Sequence, residues 1–419
     1  MEKLIVEGGK KLGGEVDVHG AKNGALPILA ATLLIPGVSV IKNCPELSDV
    51  KASVKILENL GCKCKREGKT LIIDATTITS NEIPENLMRE MRSSIVFLGA
   101  ISARCKSAVM SSPGGCEIGP RPIDLHISAL KELGLQIDES FGLINCKCNN
   151  GLKGCNIHLA IPSDGATENI LIAAATAKGI TKISNAAREP EIIDLANFLN
   201  KCGAKIYGAG SSDIIINGMD KLYPCEHSVI PDRIVAATYM SALAITGGSA
   251  VLNNIYPEHI KAIVSVFETM GCEIKISNNS LKFIAPNKLN RIKTVRTQYF
   301  PGFPTDAGPT LIAASTVAEG TSLFIENIFE NRFKFADELN RLGTDVKVEG
   351  RTAVVEGVKD LTGASVKCTD LRGGAALMIA AFSATGITEI NDIFHIDRGY
   401  EAPEKYYEKL GANIKRIKI

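Results

Sequence analysis

Six stretches of this chain are almost wholly apolar at helical length. They run from Asn23 to Leu34, Ser93 to Ala103, Thr167 to Ala177, Ile234 to Ile245, Pro309 to Val317 and Gly373 to Ala384. They are rich in alanine, and a helix without a polar face must be buried. A short strand pattern follows, such as Val38-Ser39-Val40-Ile41 or Ser249-Ala250-Val251-Leu252. Next comes an amphipathic helix ending in glycine: Asp49 to Gly61, Ile192 to Gly203, His259 to Gly271 and Phe335 to Gly343. Val54, Leu57 and Leu60 mark its helical spacing, and the final glycine suits a left-handed cap. Two β-rich segments close the unit, as in Cys62-Lys63-Cys64-Lys65 and Leu71-Ile72-Ile73. The unit reads β-α-β-α-β-β.

The unit recurs. A glycine between the buried helix and its strand occurs at Gly37, Gly179, Gly248, Gly320 and Gly386. The last four are 69, 72 and 66 residues apart, and the 142 residues from Gly37 to Gly179 hold two intervals. The missing member falls near Cys105-Lys106-Ser107, so six units of about 70 residues account for the chain. The size limit on a single core divides them three to a domain. The break lies between Gly218 and Asp232, giving one domain over 21–229 and another over 1–20 plus 230–419. The opening strand, Leu4 to Val6, has no place in the first unit and is assigned to the second domain.

Composition narrows the function classes. The 419 residues are 45% apolar and 22% charged with a formal net charge of +1. No block of like charges appears, which argues against a nucleic-acid or membrane footprint. Neither a signal peptide nor a membrane-spanning stretch is present, so a soluble, cytoplasmic protein is expected. Of the 12 cysteines, Cys62/Cys64 and Cys146/Cys148 are C-x-C pairs without histidines at zinc spacing, and no metal is expected. Cys62, Cys202 and Cys272 each precede or follow a helix-ending glycine and read as small buried hydrophobes.

Two features carry chemistry. Between 113 and 122, glycine or proline fills six of ten positions, which excludes helix and strand. This loop holds Cys116 five residues from Arg121, and a nearby cation favours a reactive thiolate. The second feature is at the start of the buried helices: Lys22-Asn23, Arg92-Ser93-Ser94, Ser163-Asp164, Asp232-Arg233, Thr305-Asp306 and Asp370-Leu371-Arg372. Asp, Ser and Asn there are ordinary N-caps. Lys and Arg oppose the helix dipole, and a bound anion explains them better. Lys22, Arg92, Arg121, Arg332, Arg372 and Arg398 would gather round a multiply charged anion if these helix ends share one cleft. No P-loop, dinucleotide fingerprint or serine nucleophile elbow occurs.

These residues resemble the enolpyruvyl transferase family, and within it the members that act on UDP-N-acetylglucosamine. The resemblance is carried by Gly20-Ala21-Lys22-Asn23, Met91-Arg92-Ser93-Ser94, Pro113-Gly114-Gly115-Cys116, Arg121-Pro122-Ile123-Asp124-Leu125-His126 and Asn185 to Glu191. It continues through Phe303-Pro304-Thr305-Asp306, Phe329-Glu330-Asn331-Arg332-Phe333, Thr369 to Gly374 and His395 to Tyr400. It implies a two-domain inside-out α/β barrel, with sheets around buried helices and the active site in the cleft between domains.

The implied reaction moves the enolpyruvyl group of phosphoenolpyruvate to the 3-hydroxyl of UDP-N-acetylglucosamine and releases phosphate, the first committed step of peptidoglycan synthesis. By family position Lys22, Arg92, Arg121, Arg372 and Arg398 hold phosphoenolpyruvate, with Arg332 beside them. Cys116 is the general acid and fosfomycin target. Asp306 is the base or orienter at the sugar hydroxyl. Asn23, Arg121, Pro122, Ile123, Asp124, Leu125, Ser163, Gly165, Ile328 and Asp370 lie where the sugar nucleotide is held. No cofactor is implied, and a monomer or weak homo-oligomer is expected. Some members carry Lys where this chain has Ile161-Pro162-Ser163-Asp164, and a Gln-rich run where it has Ala307-Gly308-Pro309. A UDP-sugar-binding regulatory paralogue without catalysis is the alternative from another class.

Overall fold

The structure is a computed structural model describing residues 2–112 and 123–418, with Arg92 described through its backbone. Thirteen α-helices lie among these residues. They are α1 (Lys22–Thr32), α2 (Ser48–Asn59), α3 (Glu85–Glu90), α4 (Phe97–Cys105), α5 (Asp124–Glu132), α6 (Asp164–Ala174) and α7 (Pro190–Lys201). They continue with α8 (Arg233–Thr246), α9 (Pro257–Thr269), α10 (Gly308–Ser315), α11 (Ala336–Asn340), α12 (Leu371–Ser383) and α13 (Pro403–Lys409). The chain separates into two compact units. Residues 20–112 and 123–230 form the first, and residues 2–19 and 231–418 the second.

Each unit has its own apolar core. Helices α1, α4 and α6 fill the first and α8, α10 and α12 the second, as their lack of a polar face requires. Around them stand six four-stranded sheets of one strand order. In one, strand 226–228 runs parallel to 38–42, which pairs antiparallel with 70–74, which pairs with 63–67. The amphipathic helix crosses over between the second strand and the hairpin. No closed barrel is formed by these sheets.

The unplaced opening strand has a definite partner. Residues 2–7 pair with 387–390 and 413–418, completing the sixth sheet. The leading strands of the first and fourth repeats are exchanged. Residues 13–17 precede α1 but pair with 249–253, while 226–228 precede α8 but pair with 40–42. Asn43, Asn185 and Asn254 sit at equivalent left-handed positions after the second strand. Their amides donate to the carbonyls of Val229, Leu159 and Val18, fastening the leading strand of each sheet.

At the end of the buried helix the left-handed residue of the fourth repeat is Gly247, and in the second Lys106 takes that conformation at φ 60°. One sequence expectation needs correction. The expected helix from Ser93 to Ala103 is broken. Arg92–Val96 is a 3₁₀ segment and α4 starts at Phe97. The cause is Asn169 of α6. Its Nδ2 donates to Ile95 O at 2.9 Å and its Oδ1 accepts from Gly99 N at 2.7 Å. The side-chain amide is inserted into the one helical hydrogen bond that Ile95 and Gly99 would share. A Cβ on residue 99 would lie 2.4 Å from Asn169 Oδ1, so glycine is required there.

Candidate active site

In the first unit Lys22 is the first residue of α1. That helix has no side-chain cap and no acid in its first turn. The ammonium instead meets Asp49 Oδ2 at 3.3 Å, on the first turn of α2, whose side chain is buried. Asp49 thus holds a cation where the helix dipole disfavours one. The approach to Lys22 depends on Gly20, because a Cβ there would fall 1.8 Å from Asn43 O. Asn23 is exposed beside it.

At α6 the polar starting residues serve as caps, as an ordinary N-terminus would. Ser163 Oγ accepts from Ala166 N at 3.4 Å. Gly165 faces His126 of α5, whose Cε1 would lie 3.0 Å from a Cβ at that position. Asn169 reaches His126 as well, its Nδ2 standing 3.0 Å from Nδ1, so that ring nitrogen is the acceptor. Ile123 and Leu125 are half-buried and Asp124 exposed at the start of α5.

Asp164 stands against Glu189, with Glu168 and Glu191 nearby. Crowding by protein, then the Glu189 carboxylate, pushes the Asp164 carboxyl well up. A hydrogen bond between two carboxyl groups needs a proton between them, which turns this side chain toward Glu189. Asp164 nevertheless keeps an open edge to solvent, so the test rests on Glu168. Burial, then Glu191 and Glu189, pushes Glu168 up to about 8. The native chain therefore keeps a proton that the unfolded chain loses near 4.5. Its stabilising effect is full below that pH and is lost as pH rises through about 8. The urea midpoint should fall across this window, and Glu168→Gln should flatten the fall; an unchanged slope would remove Glu168 as its source.

In the second unit the central group is Asp306, in a 3₁₀ turn Thr305–Ala307. Arg332 Nη2 donates to its Oδ1 at 2.8 Å, and Arg372 donates to Oδ2 from Nε at 3.2 Å and Nη2 at 3.0 Å. Both arginines are 2% exposed. Burial opposes the charge on Arg372, but Tyr400, Asp306 and Asp232 more than offset it. Its guanidinium lies 5.4 Å from the Tyr400 ring centre, and Tyr400 Oη meets Thr238 Oγ1 at 2.9 Å. Arg372 Nη1 and Arg332 Nε are buried and find no acceptor among the described residues. Two guanidiniums therefore flank one carboxylate with donors to spare.

The turn carrying Asp306 is fixed by Glu326, which is 1% exposed. One oxygen accepts from Thr297 Oγ1 at 2.9 Å, Ile328 N at 2.7 Å and Phe329 N at 3.0 Å. The other accepts from Thr305 Oγ1 at 2.9 Å. One buried carboxylate so joins the turn of Asp306 to the turn of Ile328. Pro309 fits the first turn of α10, so the Ala307-Gly308-Pro309 departure is accommodated as a helix start.

Asp370, like Ser163, serves as a helix cap. Its Oδ1 accepts from Arg372 N and Gly373 N, both at 3.0 Å, as the N-cap of α12. Arg398 ends a 3₁₀ segment, half-buried. The neighbouring Asp397 is engaged by Arg416 at 2.6 Å. Cys116, Arg121, Pro122 and the side chain of Arg92 lie outside the described residues.

Sequence reasoning missed Asp49, Glu326, Tyr400 and Asn169. Asp49 looks like any acid in a first helical turn, and Glu326 like any acid after a strand. Only Tyr400 lay within a motif singled out beforehand, His395 to Tyr400.

The described helices include none long and apolar enough to cross a membrane. No metal-binding group of His, Cys, Asp and Glu occurs among the described residues.

Comparison with known proteins identifies the family and the fold. Residues 6–410 match the family model for EPSP synthase (3-phosphoshikimate 1-carboxyvinyltransferase). The chain is 52% identical to a UDP-N-acetylglucosamine 1-carboxyvinyltransferase 2 from Caldanaerobacter subterraneus, covering 100% of both. It is 46% identical to a UDP-N-acetylglucosamine 1-carboxyvinyltransferase from Geobacter metallireducens, again over 100% of both. Among solved structures, the enolpyruvyl transferase NikO from Streptomyces tendae matches with a TM-score of 0.89 at 23% identity over 99% of both chains. EPSP synthase from Acinetobacter baumannii matches with a TM-score of 0.76 at 19% identity over 100% of both. Those two likenesses establish the fold, and the closer sequence relatives go further: the chain belongs to the enolpyruvyl transferase family, among the members named UDP-N-acetylglucosamine 1-carboxyvinyltransferase.

Proposed function

We infer that this protein transfers the enolpyruvyl group of phosphoenolpyruvate to the 3-hydroxyl of UDP-N-acetylglucosamine, releasing phosphate. The observation that carries the reading is the 52% identity over both whole chains to a relative so named. The buried, donor-rich arginines around Asp306 agree with it, since the substrate brings a phosphate and a carboxylate.

In this reading Lys22, Arg92, Arg121, Arg372 and Arg398 hold phosphoenolpyruvate. The sugar hydroxyl attacks C2, Cys116 protonates C3, and phosphate then leaves. Asp306 takes or steers the hydroxyl proton. Arg332 keeps Asp306 in place, and Asp49 does the same for Lys22. Asn23, Ile123, Asp124, Leu125, Ser163, Gly165 and Ile328 contact the sugar nucleotide. Peptidoglycan precursor synthesis in the cytoplasm would be the setting.

Phosphate release from phosphoenolpyruvate, with and without UDP-N-acetylglucosamine, tests the reaction. Release should require the sugar nucleotide and fall by at least ~10²-fold in Cys116→Ala, the usual contribution of a general acid. Fosfomycin should add to Cys116 in the wild type, as an intact-mass increase absent from the variant. A folded wild type that binds the sugar nucleotide without releasing phosphate would overturn catalysis in favour of a regulatory binder.

A further inference from the structure

Cys202 and Cys225 take no part in the site above, and their sulfurs are 3.3 Å apart. Cys202 caps the C-terminal end of α7 and is fully buried. Cys225 precedes the strand 226–228 and is only half-buried. We propose that these two thiols form a reversible disulfide, with Cys225 the attacking sulfur and Cys202 the resolving one.

The asymmetry assigns the roles. A redox-active pair combines one accessible, thiolate-prone cysteine with a second in reach of it. The hydrogen bond between the two sulfurs favours a Cys225 thiolate, partial burial opposes it, and the Lys201 charge adds to the favourable side. The net effect lowers the Cys225 thiol from its ordinary value. Cys62, Cys64, Cys146 and Cys272 move the other way, each pushed up to about 12, with burial the leading cause. Cys62 and Cys272 are thus buried thiols of the inert kind the sequence suggested, whereas Cys202, read the same way there, lies against Cys225.

The oxidant is a low-molecular-weight disulfide such as oxidised glutathione. The Cys225 thiolate attacks one of its sulfurs and expels a thiolate, leaving a mixed disulfide. Cys202 gives up its proton, and its sulfur attacks Cys225 Sγ and expels the second small thiolate. Both leaving groups are protonated. Two protein thiols are oxidised and one small disulfide is reduced to two thiols. The new bond would fasten the end of α7 to the start of strand 226–228, which pairs with 40–42. Cytosolic disulfides of this kind are typically transient or sensing.

The experiment exposes the whole protein to oxidised glutathione, alkylates the remaining thiols and maps the peptides by mass. A Cys202–Cys225 linked pair is expected, reversed by dithiothreitol, with a higher urea midpoint in the oxidised form. Cys202→Ser should trap glutathione on Cys225, whereas Cys225→Ser should leave Cys202 unmodified. Recovery of both residues as alkylated free thiols, or a stable mixed disulfide on wild-type Cys225, would overturn the proposal. If Cys202→Ser does not fold, the wild-type map and Cys225→Ser decide between these results.

Discussion

Asp306→Asn should leave the protein folded and lower kcat by about 10³-fold, within the range for a lost acid–base group. The carboxylate accepts from Arg332 on one oxygen and Arg372 on the other. An asparagine offers one acceptor and one NH₂, so one guanidinium meets a donor where it had an acceptor. Arg372 also rests against Tyr400, which keeps it from following a displaced partner. Two losses are therefore combined: a proton acceptor and a fixed arginine. Single-turnover phosphate release, with UDP-N-acetylglucosamine binding measured by calorimetry, separates them. A large fall in turnover with affinity nearly intact would assign proton transfer to Asp306. A loss below about tenfold would leave it the smaller role of orienting Arg372.

The second large effect concerns stability. Asn169→Leu should destabilise the first unit by about 3 kcal/mol, the cost of leaving buried polar groups unpaired. The amide satisfies Ile95 O and Gly99 N and also reaches His126 Nδ1. Leucine preserves most of the volume and removes all three bonds. The urea midpoint should fall and the Gly99 amide should exchange at least ~10-fold faster. If neither changes, Gly99 has closed its own bond to Ile95, and Asn169 is not what holds the helix broken. Arg92 begins the broken segment, so the same variant should weaken phosphoenolpyruvate binding.

Much of the fold was legible because the repeat is written in hydrophobicity. Six helices without a polar face were recognisable one by one, and each is buried. The helix-ending glycines were legible for the same reason: Gly61, Gly203, Gly271 and Gly343 all take positive φ. What failed to show was long-range and polar. Asn169 breaks a helix some 70 residues before it, and nothing near Ile95 or Gly99 announces this. Glu326 reads as an ordinary acid until Thr305 and the Ile328 amide are brought to it. The arginine cluster was half legible. A cation at a helix start signals an anion, but the pairing of Arg372 and Arg332 through Asp306 depends on the fifth and sixth repeats meeting.

The pairing of residues 2–7 with 413–418 bears on how the protein is made. In four of the other sheets the two hairpin strands are joined by two residues, as at Gly68-Lys69 between Glu67 and Thr70. In the sixth, Lys418 faces Glu2 in the same way with no link. During vectorial synthesis the strand 2–7 emerges well before its partners and waits until 387–390 and 413–418 follow. The 20–230 unit can complete itself while that strand waits, and a waiting strand is a hazard for misassociation. A circular permutant would remove the wait. Joining Lys418 to Glu2 through Asn-Gly and opening the chain at the exposed turn Asn278-Asn279 would turn the longest-range contact of the fold into its most local one.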